Sequence, residues 1–387
     1  MEKKDDKFLY IFLSLIYFIA ILPKTVQMAF IILFLAICIM HKKKIFIDKK
    51  SIPFLIVFII QIFAIVFYAM NNDSSRIVAA INTAVLWLIG PLLYSFIINL
   101  NISKEKIEKI CYINIMITIV LALLMIVMTK IGSNGISILG RDLMRTDWLN
   151  NKKDIRLLGF LEYSNLIVLL FFLIHPFALR YVCDNKRKIF QILFMILSII
   201  PVFLTNSRIG IILSLIYYCF VIPKIISFNK KTFILTFVLF ILIGGTFVLI
   251  NHEMVANKIS EIVHSRENSS TMRNIIYSKS IEKTMNDSPI IGVGVKEYIG
   301  EYPLGSHSTI IGFLYKTGIL GLIFGILGFF LIIKDYFKKH NLLFFISFCC
   351  LTISLFFEDL DGANWFIILF FIITSYYCNL YEVKDNV

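Results

Sequence analysis

Long apolar runs separated by short polar segments repeat along the whole chain, at roughly 8–22, 25–40, 52–70, 76–98, 110–128, 157–179, 189–205, 208–222, 232–250, 306–333, 341–357 and 364–380. None shows the strict alternation of a half-buried strand. Most hold about 16–25 residues, the length that carries a helix across a bilayer. Backbone groups in hydrocarbon must bond internally, so the pattern predicts an all-α, polytopic membrane bundle of about twelve transmembrane helices. The chain reads as a single integral membrane domain over 1–387, interrupted by long polar segments at 129–156 and 251–305. Pro23 breaks the first hairpin. The first run follows a Lys-rich start without a small-residue cleavage site, which predicts an anchor rather than a removed leader. No internal repeat, direct or inverted, is visible.

The 251–305 segment reads as folded. Met254, Val255, Ile259, Ile262 and Val263 recur at roughly helical spacing. A second helix is expected from a cap at Ser269 or Ser270 to about Met285, followed by a turn at Asn286-Asp287-Ser288-Pro289.

Composition supports the bilayer. The chain is 59% hydrophobic with a mean hydropathy of +0.85, more apolar surface than a water-soluble domain can bury. The net charge of +13 raises nucleic acid as a partner until its location is considered. With the N-terminus placed in the cytoplasm, 22 of the 38 Lys and Arg residues fall in inner segments, and only Lys24, Arg76 and Arg208 in short outer ones. The positive-inside rule explains that asymmetry, puts both termini in the cytoplasm, and removes the argument for nucleic acid. Long translocated loops escape the rule. The 7 cysteines show neither metal-ligand spacing nor a disulfide framework.

Candidate chemistry collects on the outer face. Arg208 follows Thr205-Asn206-Ser207 and opens a helix, where a guanidinium and free backbone N–H groups suit an anion. The plainer reading is an interfacial arginine at a helix end. His307 also opens a helix; a helix N-terminus disfavours imidazolium, and a neutral histidine can accept a proton. Arg273 is expected in the first turn of the second loop helix, with Arg266 just before it. The loop carries six basic and seven acidic residues and so has no net basic field. Glu162 falls within a membrane run, where a carboxylate is a functional candidate by default. Glu358, Asp359 and Asp361 cluster before the last run, suited to sugar hydroxyls, to a cation, or simply to a wet loop. Lys316, inside the 306–333 run, is expected to reach a cavity or to pair with a carboxylate such as Glu162. No constellation for a metal or other cofactor is visible.

The chain resembles the O-antigen ligase and O-antigen polymerase family of bacterial envelope glycosyltransferases. His307-Ser308, nine residues, then Gly318-Ile319-Leu320-Gly321 reproduces the ligase pattern. Asn206-Ser207-Arg208-Ile209-Gly210 resembles its Ser-Arg-Gly helix start. Arg273 followed by Pro289-Ile290-Ile291-Gly292-Val293-Gly294 resembles its outer-loop signature. The motifs cover about 190–335, and the twelve-run pattern the rest. Ile212 stands where the ligases have leucine, and Tyr277 near where they have tryptophan.

The resemblance implies a GT-C-like fold, with the 251–305 loop roofing the site. It implies transfer of a glycan from an undecaprenyl-diphosphate donor, outside the cytoplasmic membrane of a bacterium. His307 would be the base, and Arg208, Arg273 and Arg266 would hold the diphosphate. Glu162, Glu358, Asp359, Asp361 and Lys316 would be secondary or acceptor-side residues. The expected reaction inverts the anomeric centre without a metal. The implied partners are the lipid-linked glycan, membrane lipid, a flippase and a chain-length regulator. Bias towards Lys, Ile, Asn and Phe suggests a low-GC genome in a cell without a lipid A core, which favours a surface-polysaccharide polymerase. The alternatives are ligase-type transfer to another acceptor and a lipid-linked oligosaccharide flippase.

Overall fold

A computed structural model describes residues 7–41, 46–72, 75–100, 102–133, 135–146, 155–226, 267–300, 302–339 and 341–382. The helices among them are α1 (Lys7–Ser14), α2 (Ile16–Ile21), α3 (Lys24–His41), α4 (Ile52–Asn71), α5 (Ile77–Ile97), α6 (Lys104–Lys130), α7 (Asn165–Asn185), α8 (Lys188–Leu204), α9 (Arg208–Ile226), α10 (Glu267–Asp287), α11 (Thr309–Lys338), α12 (Leu342–Leu355) and α13 (Asn364–Glu382). Five of them, α4 to α7 and α11, are long and apolar enough to cross a membrane; α3, α8, α9, α12 and α13 are shorter apolar helices.

The expected twelve full spans are thus met at full length by five helices among the described residues. The run at 232–250 and the first part of the 251–305 loop, with Arg266, lie outside those residues. The first run divides at Leu15 into α1 and α2. The 157–179 run becomes helical only at Asn165, because Gly159 and Phe160 take left-handed backbone (φ 61° and 64°), which a right-handed helix cannot absorb. The all-α expectation needs one correction. Three short antiparallel hairpins sit in the long loops: β1 (Ser137–Ile138) with β2 (Arg141–Asp142), β3 (Met144–Thr146) with β4 (Ile155–Leu157), and β5 (Tyr298–Ile299) with β6 (Tyr302–Pro303).

α7 and α13 form the centre. Their side chains are almost wholly buried, α7 against α6, α8 and α12, and α13 against α5 and α3. The surrounding helices turn Phe63, Phe67, Val78, Ile189, Phe190 and Phe330 outwards. Such a surface would aggregate in water and is at home in lipid, as expected of a multi-pass membrane protein. Residues that the charge pattern puts on the same side touch one another. Among the inner ones, Lys50 pairs with Asp335, and Arg180 reaches Glu108 at 3.4 Å. Among the outer ones, Lys24 donates to the carbonyl of Gly362 at 3.0 Å.

α11 is broken at Gly318 (φ 64°, ψ −164°), leaving a short segment from Thr309 to Thr317 ahead of the long one. The break frees N–H groups that hydrocarbon could not satisfy. The loop after α10 supplies their acceptors: Ile319 N donates to Pro289 O at 2.9 Å, and Leu320 N to Ile290 O at 3.2 Å. Val293 N in turn donates to Tyr315 O at 2.8 Å. A Cβ on Gly318 would lie 2.3 Å from Ile290 O, and one on Gly292 would lie 2.5 Å from Gly318 N. The two glycine motifs, nearly thirty positions apart, are therefore two sides of one backbone-to-backbone contact.

Candidate functional site

The short first segment of α11 aims its N-terminus at a cavity of about 1000 Å³, the upper end of the usual range for ligand sites. Ser308 caps the helix, its hydroxyl accepting from Ile311 N at 3.2 Å. His307 stands one residue before the cap in left-handed backbone, φ 61°. Two contacts hold it there. Tyr277 on α10 donates its hydroxyl to His307 O at 2.6 Å. The α12–α13 loop clamps the next residues: Ser308 N donates to Asp359 Oδ1 at 3.2 Å, and Thr309 N to Glu358 O at 3.0 Å.

His307 lines the cavity, and among the described residues neither ring nitrogen has a hydrogen-bond partner. Burial lowers its pKa. Asp359 opposes that shift, while Arg273 and Lys296 add to it. Its ring is therefore neutral at pH 7, as the sequence predicts, but chiefly through desolvation and flanking cations.

The acidic cluster is not a wet loop. Glu358, Asp359 and Asp361 are all buried, and each meets a different cation. Arg273 Nη2 lies 3.0 Å from Glu358 Oε1, which Asn165 also approaches, while Arg273 Nη1 donates to Phe357 O at 3.2 Å. Lys296 Nζ lies 3.4 Å from Asp359 Oδ2. Lys316 pairs with Asp361, whose Oδ2 also accepts from Trp87 Nε1 at 2.9 Å. Burial pushes the Glu358 carboxyl up to about 7, against the pull of Arg273 and Asn165. Burial also opposes ionisation of Asp361, but Lys316 and Lys296 outweigh it and hold the carboxyl below its usual range. Burial works against the Lys296 ammonium, and Asp359 and Asp361 overcome it. Among the described residues no three His, Cys, Asp or Glu side chains converge as metal ligands would.

Four expectations change here. Lys316 pairs with Asp361 rather than Glu162. Glu162 sits in the turn before α7, outside the helix, accepting from Arg141 at 2.9 Å, Gln27 at 3.0 Å and Trp365 at 2.9 Å. Arg273 is not in the first turn of its helix, because α10 begins at Glu267, so the helix N-terminus does not explain its position; Glu358 and the Phe357 carbonyl do. Arg208 opens α9 as expected, with Ser207 Oγ accepting from Gly210 N at 3.3 Å, but it is not among the cavity-lining residues. Its Nη2 reaches Ser270 Oγ at 3.1 Å, one turn before Arg273 on α10.

The structure thus brings His307, Arg273, Glu162, Glu358, Asp359, Asp361 and Lys316 to one cavity, with Arg208 against α10. The sequence reading missed Lys24, Arg76, Arg145, Arg156 and Lys296, all of which line it. A signal existed for two of them. Lys24 and Arg76 are rare basic residues in short segments that the charge pattern puts outside, where the charge rule leaves few.

The Lys316–Asp361 pair lends itself to a stability test. Removing one partner leaves a buried charge uncompensated, at about 3–5 kcal/mol. Lys316→Met or Asp361→Leu alone should lower the detergent-phase melting temperature markedly. The double substitution should recover most of the loss. If the double variant is as unstable as the singles, the pair is not what anchors this segment.

Residues 193–326 match the family model described as O-antigen ligase. No curated protein matches the chain.

Proposed function

We propose, from the chain's membership of the O-antigen ligase/polymerase family, that the cavity transfers a glycan from an undecaprenyl-diphosphate donor to a sugar hydroxyl of a lipid-linked acceptor. The observation that carries this reading is a neutral histidine ring, unpartnered among the described residues, in a large cavity whose cations outnumber its carboxylates. The acceptor oxygen attacks the anomeric carbon as the carbon–oxygen bond to the diphosphate breaks. His307 takes the hydroxyl proton. The bonding pair leaves on the diphosphate, where Arg273, with Arg208 beside the same helix, stabilises the growing negative charge. A single displacement inverts the anomeric centre, and no step calls for a metal.

Orientation enters the same proposal. The cavity is built from the segments that the charge pattern puts outside, so the reaction would run on the outer face of a bacterial cytoplasmic membrane, with both termini inside. The 251–305 segment would roof the site. We favour a surface-polysaccharide polymerase on compositional grounds. Ligase-type transfer to another acceptor is the second reading, favoured by the description of the matching family.

The test is purified enzyme with lipid-linked repeat units and gel analysis of product length. Arg273→Ala should abolish extension while the protein still inserts. Arg273→Lys should rescue poorly, since it keeps the charge and loses the two-pronged geometry. Near-normal polymer from Arg273→Ala would remove that residue from diphosphate binding. A product of one glycan joined to a non-repeat acceptor, without extension, would replace polymerase by ligase.

A further inference from the structure

Gln61 lies in the middle of α4 and is 1% exposed, yet among the described residues neither its Nε2 nor its Oε1 has a hydrogen-bond partner. Buried polar groups are almost always paired, and in a membrane bundle an orphaned carboxamide is more costly still. The residue also forms part of the cavity wall. Its position is set by the glycine loop: Gly294 packs against the backbone of Ala64 and Ile65, on the same face of α4 one turn along.

The neighbouring lining has its own chemistry. His307, Arg273, Glu358 and their partners make a charged region. Gln61, Thr25, Asn82, Thr83 and Asn364, from α3, α4, α5 and the start of α13, add carboxamides and hydroxyls to the lining, beside Lys24 and Arg76. Asn82 and Asn364 are already engaged, Asn82 Nδ2 with Asn364 Oδ1 at 3.4 Å and Asn364 Nδ2 with Lys24 O at 3.0 Å. Gln61 alone of these three carboxamides offers an unmet donor together with an unmet acceptor.

We infer that this carboxamide and hydroxyl wall is a saccharide subsite and that Gln61 is its reading residue. It would bind a sugar substituent that presents a donor and an acceptor side by side. Two substituents have that chemistry, a hydroxyl pair and an acetamido group. This rests on the glycan-transfer reading above and adds where an uncharged sugar sits and which side chain selects it.

The test measures binding, so it does not depend on turnover. Saturation-transfer NMR on the purified full chain in nanodiscs would use the methyl glycosides of glucose and galactose and of their 2-acetamido counterparts. Wild type should bind at least one of them, and Gln61→Leu should weaken that binding at least tenfold. If loss is confined to the acetamido sugars, the acetamido group is the substituent read; loss across the plain glycosides identifies the hydroxyl pair. Gln61→Leu fills similar volume and removes an unpaired amide, so its melting temperature should stay level or rise. If no glycoside binds wild type, or if Gln61→Leu binds as well as wild type, the inference falls. Loss of transfer in wild type with Gln61-dependent sugar binding intact would instead strike only the proposed reaction.

Discussion

His307→Ala should lower turnover by about 10²–10⁴-fold, the usual worth of a positioned general base, while leaving the protein folded and able to hold its donor. Folding should survive because the contacts around residue 307 are made by its backbone carbonyl and by Ser308 and Thr309, not by the imidazole. The pH dependence has a definite sign. A base works in its deprotonated form, so activity falls as pH drops below its pKa. Burial together with Arg273 and Lys296 depresses that pKa, so in the free enzyme the acid limb, read in kcat/KM, should lie below the ordinary histidine range near 6.5. A bound diphosphate offsets those cations and makes the histidine more basic. The acid limb of kcat should therefore lie at higher pH than that of kcat/KM. Polymer made by His307→Ala at the wild-type rate would end the assignment, and Glu358, poised at about 7, would be the next base to test.

Gly318→Ala should largely prevent accumulation of folded protein. Its backbone conformation is one that only glycine occupies readily, at about 1–3 kcal/mol for any other residue. The larger penalty is steric. The new Cβ would sit 2.3 Å from a carbonyl oxygen of the backbone, which cannot rotate away as a side chain can. Moving the loop aside would strip Ile319 and Leu320 of the acceptors at Pro289 and Ile290, in a setting with no water to replace them. Gly132→Ala is the control, because it shares a positive φ of 71° but has nothing within 4 Å of the added Cβ. Yield of monodisperse protein and melting temperature should fall far more for Gly318→Ala than for Gly132→Ala. Equal losses would mean that conformational strain, not the contact between the two motifs, is what matters.

Much of the molecule was legible in the chain itself. Apolar runs and the demand for internal backbone bonding gave most of the helices, because both are local properties. The same holds for the helix starts at Arg208 and just after His307; that Ser207 and Ser308 cap them came from the structure. The two glycine motifs were visible as motifs, but not as partners. Tyr277 stood out as a departure from the family pattern, and the fold gives it a contact with the backbone of His307.

What the sequence determined by itself is that most of the described segments are helical, and that His307 stands at the mouth of a helix. Only the tertiary structure decided that Lys316 meets Asp361, 45 positions away, that Arg273 meets Glu358, 85 positions away, and that Arg208 touches α10 rather than lining the cavity. It alone left Gln61 in the wall without a partner among the described residues. The reason is physical. A membrane helix that is apolar on every side carries no stripe to say which face turns inward, so its rotation and neighbours are set by packing. The partner of a buried charge is chosen by that packing, and no pattern along a single segment records it.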